Sequence, residues 1–424
     1  MTGLTSLSPL ASELEQELKR MPYVDTHSHV PSPDDVKKSL GQSGRYDVVR
    51  LLGATTYVAE FIYGETWQEI QQQLKVNAHH AYLRPILEAL RDLYGLGPEE
   101  ELNDSNVEQI SSRMDQAHRD PGWYEKVLER ANIAHVIWLQ NQPRRQSDMP
   151  SRRVHPMWNT DAFIFITGRE KKDGPWSVDA VHSSFQAKVR NIADHEELMF
   201  QEIKKFFSGG GVGLKSTAAY FRSLDFQDDV PAQKAGQLFT RVLDHQELKP
   251  PDRKALEDYL MTRLLSMVAE LQRPIQFHTG NQQNWNVVGN SNPLGLNNLL
   301  FSGRYYGAKF VFLHGGYPYT QESIMLVRYY GNAYLDLAWM ALFSPAAAKR
   351  SLHDAIDMID GRRITFGTDC ANLEEQYGTA KYTRRILAEV LAEKISSRYL
   401  TKPVALAIGE RILSTNAMEL YELK

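Results

Sequence analysis

The chain has 424 residues, 42% of them hydrophobic, with 48 basic against 52 acidic side chains and a formal net charge of -4. That suffices for a large buried core, and the near balance of charge, without a long basic block, argues against a nucleic-acid surface. A single cysteine, Cys370, excludes an internal disulfide and fits a reducing compartment. No apolar run approaches a membrane span, and Met1 to Arg20 lacks a basic stretch followed by an apolar one, so a cytoplasmic chain with no membrane partner is expected. Arg144-Arg145 and Arg152-Arg153 form one local basic cluster, read as a solvated loop.

In chain order, Ser12 to Lys19 reads as a short amphipathic helix leading into the strand Tyr23 to Val30. A Pro/Ser/Asp loop, Pro31 to Asp35, follows. Helical spacing then dominates to about Trp123, so residues 31–123 read as a helical insertion, with His79 and His80 as surface or packing residues. From there helix and strand alternate. Strands are predicted at Ala134–Trp138, Ala162–Ile166, Val212–Ser216, Pro274–His278, Lys309–His314, Ala333–Leu337 and Arg363–Asp369. Helices are predicted at 123–131, 195–207, 253–272, 382–394 and 403–420. Eight strands separated by helices argue for an α/β fold, a (β/α)8 TIM barrel forming one domain over residues 1–424, with an open doubly wound sheet as the alternative. No Gly-x-Gly-x-x-Gly follows the first strand, which speaks against a dinucleotide fold.

In such a barrel the C-terminal strand ends form one rim, where catalytic groups sit. Those ends carry His27 and His29, Lys215, His278, His314 and Asp369. On an extended strand residues i and i+2 share a face, so the His-x-His pair can face one point. Singly each residue has a bland explanation: a core histidine, a rim lysine, a helix cap. Jointly, a His/Asp set suits Zn²⁺ or another divalent ion, which would acidify a water whose proton an aspartate could take. His135 lies inside its strand and reads as core. Asp336, at the end of the seventh strand, reads as packing or capping more than as a ligand-orienting group.

The ordered motifs Asp25-Thr26-His27-Ser28-His29, Leu214-Lys215-Ser216 with Tyr220 and Arg222, Gln276-Phe277-His278-Thr279-Gly280, Leu313-His314-Gly315-Gly316-Tyr317-Pro318, Tyr334-Leu335-Asp336-Leu337 and Phe366-Gly367-Thr368-Asp369 carry a resemblance. The chain resembles the amidohydrolase superfamily. Within it, the amidohydrolase-related branch with FluG-type N-terminal domains is more similar, and uronate isomerase is a distant likeness through the helical excursion. The resemblance implies His27, His29, His278 and Asp369 as metal ligands and Asp369 as proton shuttle, with His314 either polarising substrate or contacting the metal-bound water at a one-metal site, or binding a second metal together with His278 at a two-metal site. It leaves Lys215 two roles: a carbamate bridging two ions, or an ammonium that binds a substrate carboxylate beside Arg222. Arg222 itself reads equally as a bidentate carboxylate clamp or as a surface ion pair. One zinc ion, rather than two, is the expectation. Tyr317 is expected to line the pocket.

The implied activity is a metal-dependent hydrolase acting through activated water on a C–N, amide-like bond of a small, carboxylate-bearing molecule. A metal-dependent lyase or decarboxylase, a sugar-acid isomerase, and a non-catalytic metal-binding domain are the alternatives. The expected partner is a small-molecule substrate, with homo-oligomerisation left open.

Overall fold

Eight parallel strands hydrogen-bond in sequence order in this computed structural model, which describes residues 8–39, 44–54, 57–166, 176–283 and 287–424. They are β1 (Tyr23–Ser28), β2 (Ile133–Gln140), β3 (Val154–Asn159), β4 (Gly213–Ser216), β5 (Pro274–Phe277), β6 (Lys309–Phe312), β7 (Ala333–Asp336) and β8 (Ile364–Thr365). The sheet curls into a barrel whose seam joins the last strand to the first. Asp369 N–H donates to the His27 carbonyl at 2.7 Å, His29 N–H to the Cys370 carbonyl at 2.9 Å, and the Tyr23 hydroxyl to the Phe366 carbonyl at 2.5 Å. The seam thus closes at the strand ends that carry His27, His29 and Asp369.

One expected strand is corrected. Residues 162–166 are a short 3₁₀ turn, Asp161–Phe163, running into a buried loop, and the third strand is Val154–Asn159. Phe163, Ile164, Phe165 and Ile166 are all buried, so the run is apolar because it packs beneath the outer helices. A short apolar run has no periodicity that separates a strand from a buried turn. The true strand contains Pro156 and His155, which obscure its strand character.

The barrel interior is filled from below. Val24, Ile137, Met157, Val212, Val311 and Leu313 pack on Ala417, Leu420, Tyr421 and Leu423 of the C-terminal segment, which includes the helix Asn416–Tyr421. That helix plugs the end opposite the site. Buried Arg384 ties the N-terminal helix Pro9–Arg20 to the wall, donating to the carbonyls of Leu18, Ala131, Met21 and Asn132.

Between β1 and β2 lie the helices Pro33–Ser39, Val48–Ala54, Trp67–Asn77, Leu83–Tyr94 and Val107–His118. Their apolar faces join the main core through Leu51, Ile70, Ile86, Leu90, Ile110 and Met114. A capping box at Thr66 and Glu69 starts one of them, and Gly95, at φ +73, ends another. Helix Leu83–Tyr94 meets Leu373–Ser396, the helix after β8, where a Cβ on Gly378 would collide with the Pro85 carbonyl. Among the described residues no helix is long and apolar enough to cross a membrane.

Candidate metal centre

Asp25 and His27 lie two apart on β1 yet serve opposite sides, because the β1–β2 register shifts between Asp25 and Ser28. His27 turns across the barrel, its Nδ1 2.7 Å from Gln276 Oε1 on β5. Asp25 turns outward and accepts from Thr368 N–H at 2.7 Å, Thr368 Oγ1 at 2.6 Å and Gln376 Nε2 at 2.7 Å. A second buried carboxylate, Asp336, accepts from Thr26 Oγ1, Thr365 Oγ1, Ala338 N–H and Gly367 N–H. Each aspartate therefore grips the residue beside a candidate ligand: Asp25 holds Thr368 next to Asp369, and Asp336 holds Thr26 next to His27. Burial pushes the Asp25 carboxyl up to about 6 against the hydrogen bonds from Thr368 and Gln376, and it raises Asp336 as well.

The histidine pair and the aspartate converge. His29 Nε2 lies 3.1 Å and His27 Nε2 3.7 Å from Asp369 Oδ1. One potential ligand atom from each of the three residues lies within 4.8 Å of the others. His27 and Asp369 are buried, whereas the His29 side chain is 39% exposed, so the cluster has one side open to a small molecule. Burial pushes His27 well down, which keeps the imidazole neutral. Against its own burial, the Asp369 carboxyl is held far below the usual range by His27 and His29. Two imidazoles and a carboxylate with an open face are the donor set a catalytic divalent cation takes, so these residues fit such an ion.

His278 and His314 pair with one another beside the trio. His314 Nε2 is 3.1 Å from His278 Nδ1, and His278 Nε2–H donates to the Asn281 carbonyl at 2.8 Å. His278 thus stands outside the three-residue cluster, and the expected fourth ligand is not turned toward it. His314 Nδ1 is 3.5 Å from Asp369 Oδ2. His314 and Asp369 both take left-handed backbone, φ +60 and +56, which few non-glycine residues adopt and which recurs at functional positions. The two histidine loops touch back to back: Gly280, at φ +71, faces the Gly316 and Tyr317 backbone, where any Cβ would collide.

Lys215 is 1% exposed, and its Nζ has no hydrogen-bond partner among the described residues. Burial lowers it to about 7, opposed by the charges of Asp369, Asp161 and Asp336. Arg222 goes elsewhere, taking the ion-pair reading and not the carboxylate clamp. Its guanidinium meets Glu257 at 3.2 Å and Asp258 at 2.6 Å, and donates to the carbonyls of Ser223, Asp225 and Lys254. Those acidic partners sit on the helix Pro250–Glu270, 35 and 36 residues along the chain, beyond any local pattern. Tyr317 packs its ring on Phe343 at 5.3 Å. His135 pairs with His155 at 2.9 Å, and His80 stacks on Phe61.

Several site residues carry no local signal. Gln276 is visible only as the neighbour two before His278. Tyr220, in the quoted motif, has its ring 4.5 Å from that of His278. Trp339, at φ +69, sets its ring edge-on to His314 at 5.3 Å. A cleft lies between insertion and rim, lined by Val30, Pro31, Tyr46, His118, Trp123 and Leu373 among others.

A family profile described as "Amidohydrolase" matches residues 217–423. The chain is 30% identical over 223 residues to the protein fluG of Emericella nidulans, a match covering 50% of this chain and 26% of that one. It thus spans about a quarter of that relative. Among solved structures, uronate isomerase from Thermotoga maritima superposes with a TM-score of 0.81 at 14% identity, covering 99% of this chain and all of that one. A Lactobacillus casei protein described as a metal-dependent hydrolase gives 0.68 at 19% identity, covering 96% of this chain and 97% of that one. At those identities the two structures speak for the fold alone. The C-terminal half of the chain thus matches the amidohydrolase profile, and the described residues share the barrel fold of these two structures.

Proposed function

We propose that this protein is a hydrolase that uses a divalent metal, zinc in our reading, to cleave an amide-like C–N bond in a small molecule. The observation that carries this is the convergence of His27, His29 and Asp369 on one open point. A cation bound there supplies Lewis acidity and an acidified water. In this reading Asp369 takes a proton from the attacking water and returns it to the leaving nitrogen as the carbonyl–nitrogen bond breaks. His314, 3.5 Å from Asp369, has its Nδ1 on the Ala338 carbonyl at 3.2 Å and its Nε2 on His278, so in this reading it steadies the site beside Asp369. With Arg222 engaged elsewhere, a carboxylate on the substrate keeps only Lys215 as support. The burial of Lys215 favours a neutral amine, the form that a carbamate bridge between two ions requires.

Elemental analysis of protein purified without chelators tests the reading. We expect about one ion per chain, lost in His29→Ala and Asp369→Asn but largely kept in His278→Ala, as a three-residue ligand set requires. Two ions per chain would assign Lys215 the carbamate role. None after reconstitution would overturn the proposal. Once a substrate is found, solvent ¹⁸O entering the product separates hydrolysis from the lyase and sugar-acid isomerase alternatives, in which no water oxygen is added.

A further inference from the structure

The buried Gln276 amide has an orientation that can be read without ambiguity. One of its terminal atoms lies 2.8 Å from the Thr26 carbonyl, which only accepts, so that atom is the nitrogen Nε2. The same nitrogen donates its second hydrogen to the Tyr421 hydroxyl at 2.8 Å. Oε1 is therefore the atom that faces His27 Nδ1 at 2.7 Å, and a carbonyl there requires the imidazole proton to sit on Nδ1. Flipping the amide would set Oε1 against the Thr26 carbonyl, two acceptors face to face. Gln276 and His27 are both buried, so water does not compete for these bonds.

With the Nδ1 proton committed to Gln276, Nε2 is the nitrogen that His27 turns to Asp369, 3.7 Å from Oδ1. A cation held between the two would be drawn to both. We propose that Gln276 is a positioning residue that locks His27 in the Nδ1–H tautomer and so keeps its Nε2 available to a metal. The inference rests on His27 being a ligand, as in the reading above. Through Tyr421 it also links the C-terminal barrel plug to that ligand by an unbroken hydrogen-bonded path.

Zn²⁺ affinity, measured by competition with a chromogenic chelator on metal-stripped protein, tests this apart from any activity. Gln276→Met removes the acceptor at similar volume, and affinity should fall about 10- to 100-fold, as for other ligand-orienting partners. Gln276→Glu keeps an oxygen for the Nδ1–H and should bind Zn²⁺ close to wild type, even where its melting temperature is lower. Equal weakening in both variants, or no weakening in Gln276→Met, would overturn the proposal. Long-range ¹H–¹⁵N spectra of the metal-free wild type, with His27 assigned through His27→Gln, read the tautomer without a Gln276 variant. A proton on Nδ1 supports the inference and one on Nε2 overturns it. Failure of the wild type to bind Zn²⁺ would remove the metal reading, while the spectra still decide the tautomer.

Discussion

The barrel rim and the helical insertion are both anchored by buried carboxylates, but to different ends. At the rim, Asp25 and Asp336 accept from backbone and hydroxyl donors on β1, β8 and the segments after β7 and β8. Their partners are residues adjacent to His27 and Asp369, so their effect is to fix where the ligands point. In the insertion, Glu374 does the holding. It accepts from the Tyr46 hydroxyl at 3.0 Å and the Tyr94 hydroxyl at 2.6 Å, and lies 2.8 Å from His118 Nε2. Those three residues come from three places in the insertion, whereas Glu374 opens the helix after Asp369. Glu374 is a clasp: it fastens a separate layer onto the rim beside that cleft. One kind of group thus sets ligand geometry in the first region and docks a wall in the second.

The comparison is broken most forcefully at Asp336. Asp336→Leu would leave buried donors from Thr26, Thr365, Ala338 and Gly367 without their acceptor, for a loss of about 3–5 kcal/mol of global stability. Urea unfolding would measure it, and a loss below about 1 kcal/mol would mean the network is not under tension to hold β1 against β7 and β8.

Acid separates the two regions in order. His195, fully buried in the barrel wall with its Nε2 on the Phe163 carbonyl, is pushed by burial from 6.5 down to about 4. The unfolded chain binds that proton more readily, so stability is complete above pH 6.5 and falls as the pH drops toward 4. The loss approaches about 3 kcal/mol. Glu374 has a lowered pKa: although burial raises it, His118 and Tyr94 more than offset that. Its contribution is complete above pH 4.5, the ordinary value, and is lost only below it. On acid titration the wall should therefore weaken before the clasp releases. His195→Gln should flatten the upper part of the stability–pH curve, and an unchanged slope there would discount His195.

The smallest effect is expected at the clasp itself. Glu374→Ala should cost about 1–3 kcal/mol, expressed locally. Hydrogen exchange should accelerate in residues 44–118 while β1 to β8 keep their protection. Acceleration spread evenly over the barrel would instead make the insertion part of the same cooperative unit as the rim.

The sequence made the repeating elements legible. Seven of the eight strands fall where alternation and apolar runs indicate, and His27, His29 and Asp369 converge as strand-end placement in one barrel predicts. These features are readable because they are local: periodicity spans a few residues, and parallel strands with crossover helices leave few ways to arrange the ends. The misplaced third strand shows the limit, since residues 162–166 are apolar for a reason that lies outside themselves.

What only the tertiary structure decided is partnership. Arg222 is a plausible carboxylate clamp until Glu257 and Asp258 take its donors. Lys215 is a rim lysine until burial strips its amine of partners. His278 carries a ligand motif, yet its nitrogens turn to His314 and Asn281. Gln276 meets His27 across 249 residues of chain and Asp25 meets Thr368 across 343, separations at which no pattern in neighbouring residues records the pairing. A hydrogen bond depends on distance and angle at the sub-ångström level, and residues far apart in sequence acquire those only when the barrel closes.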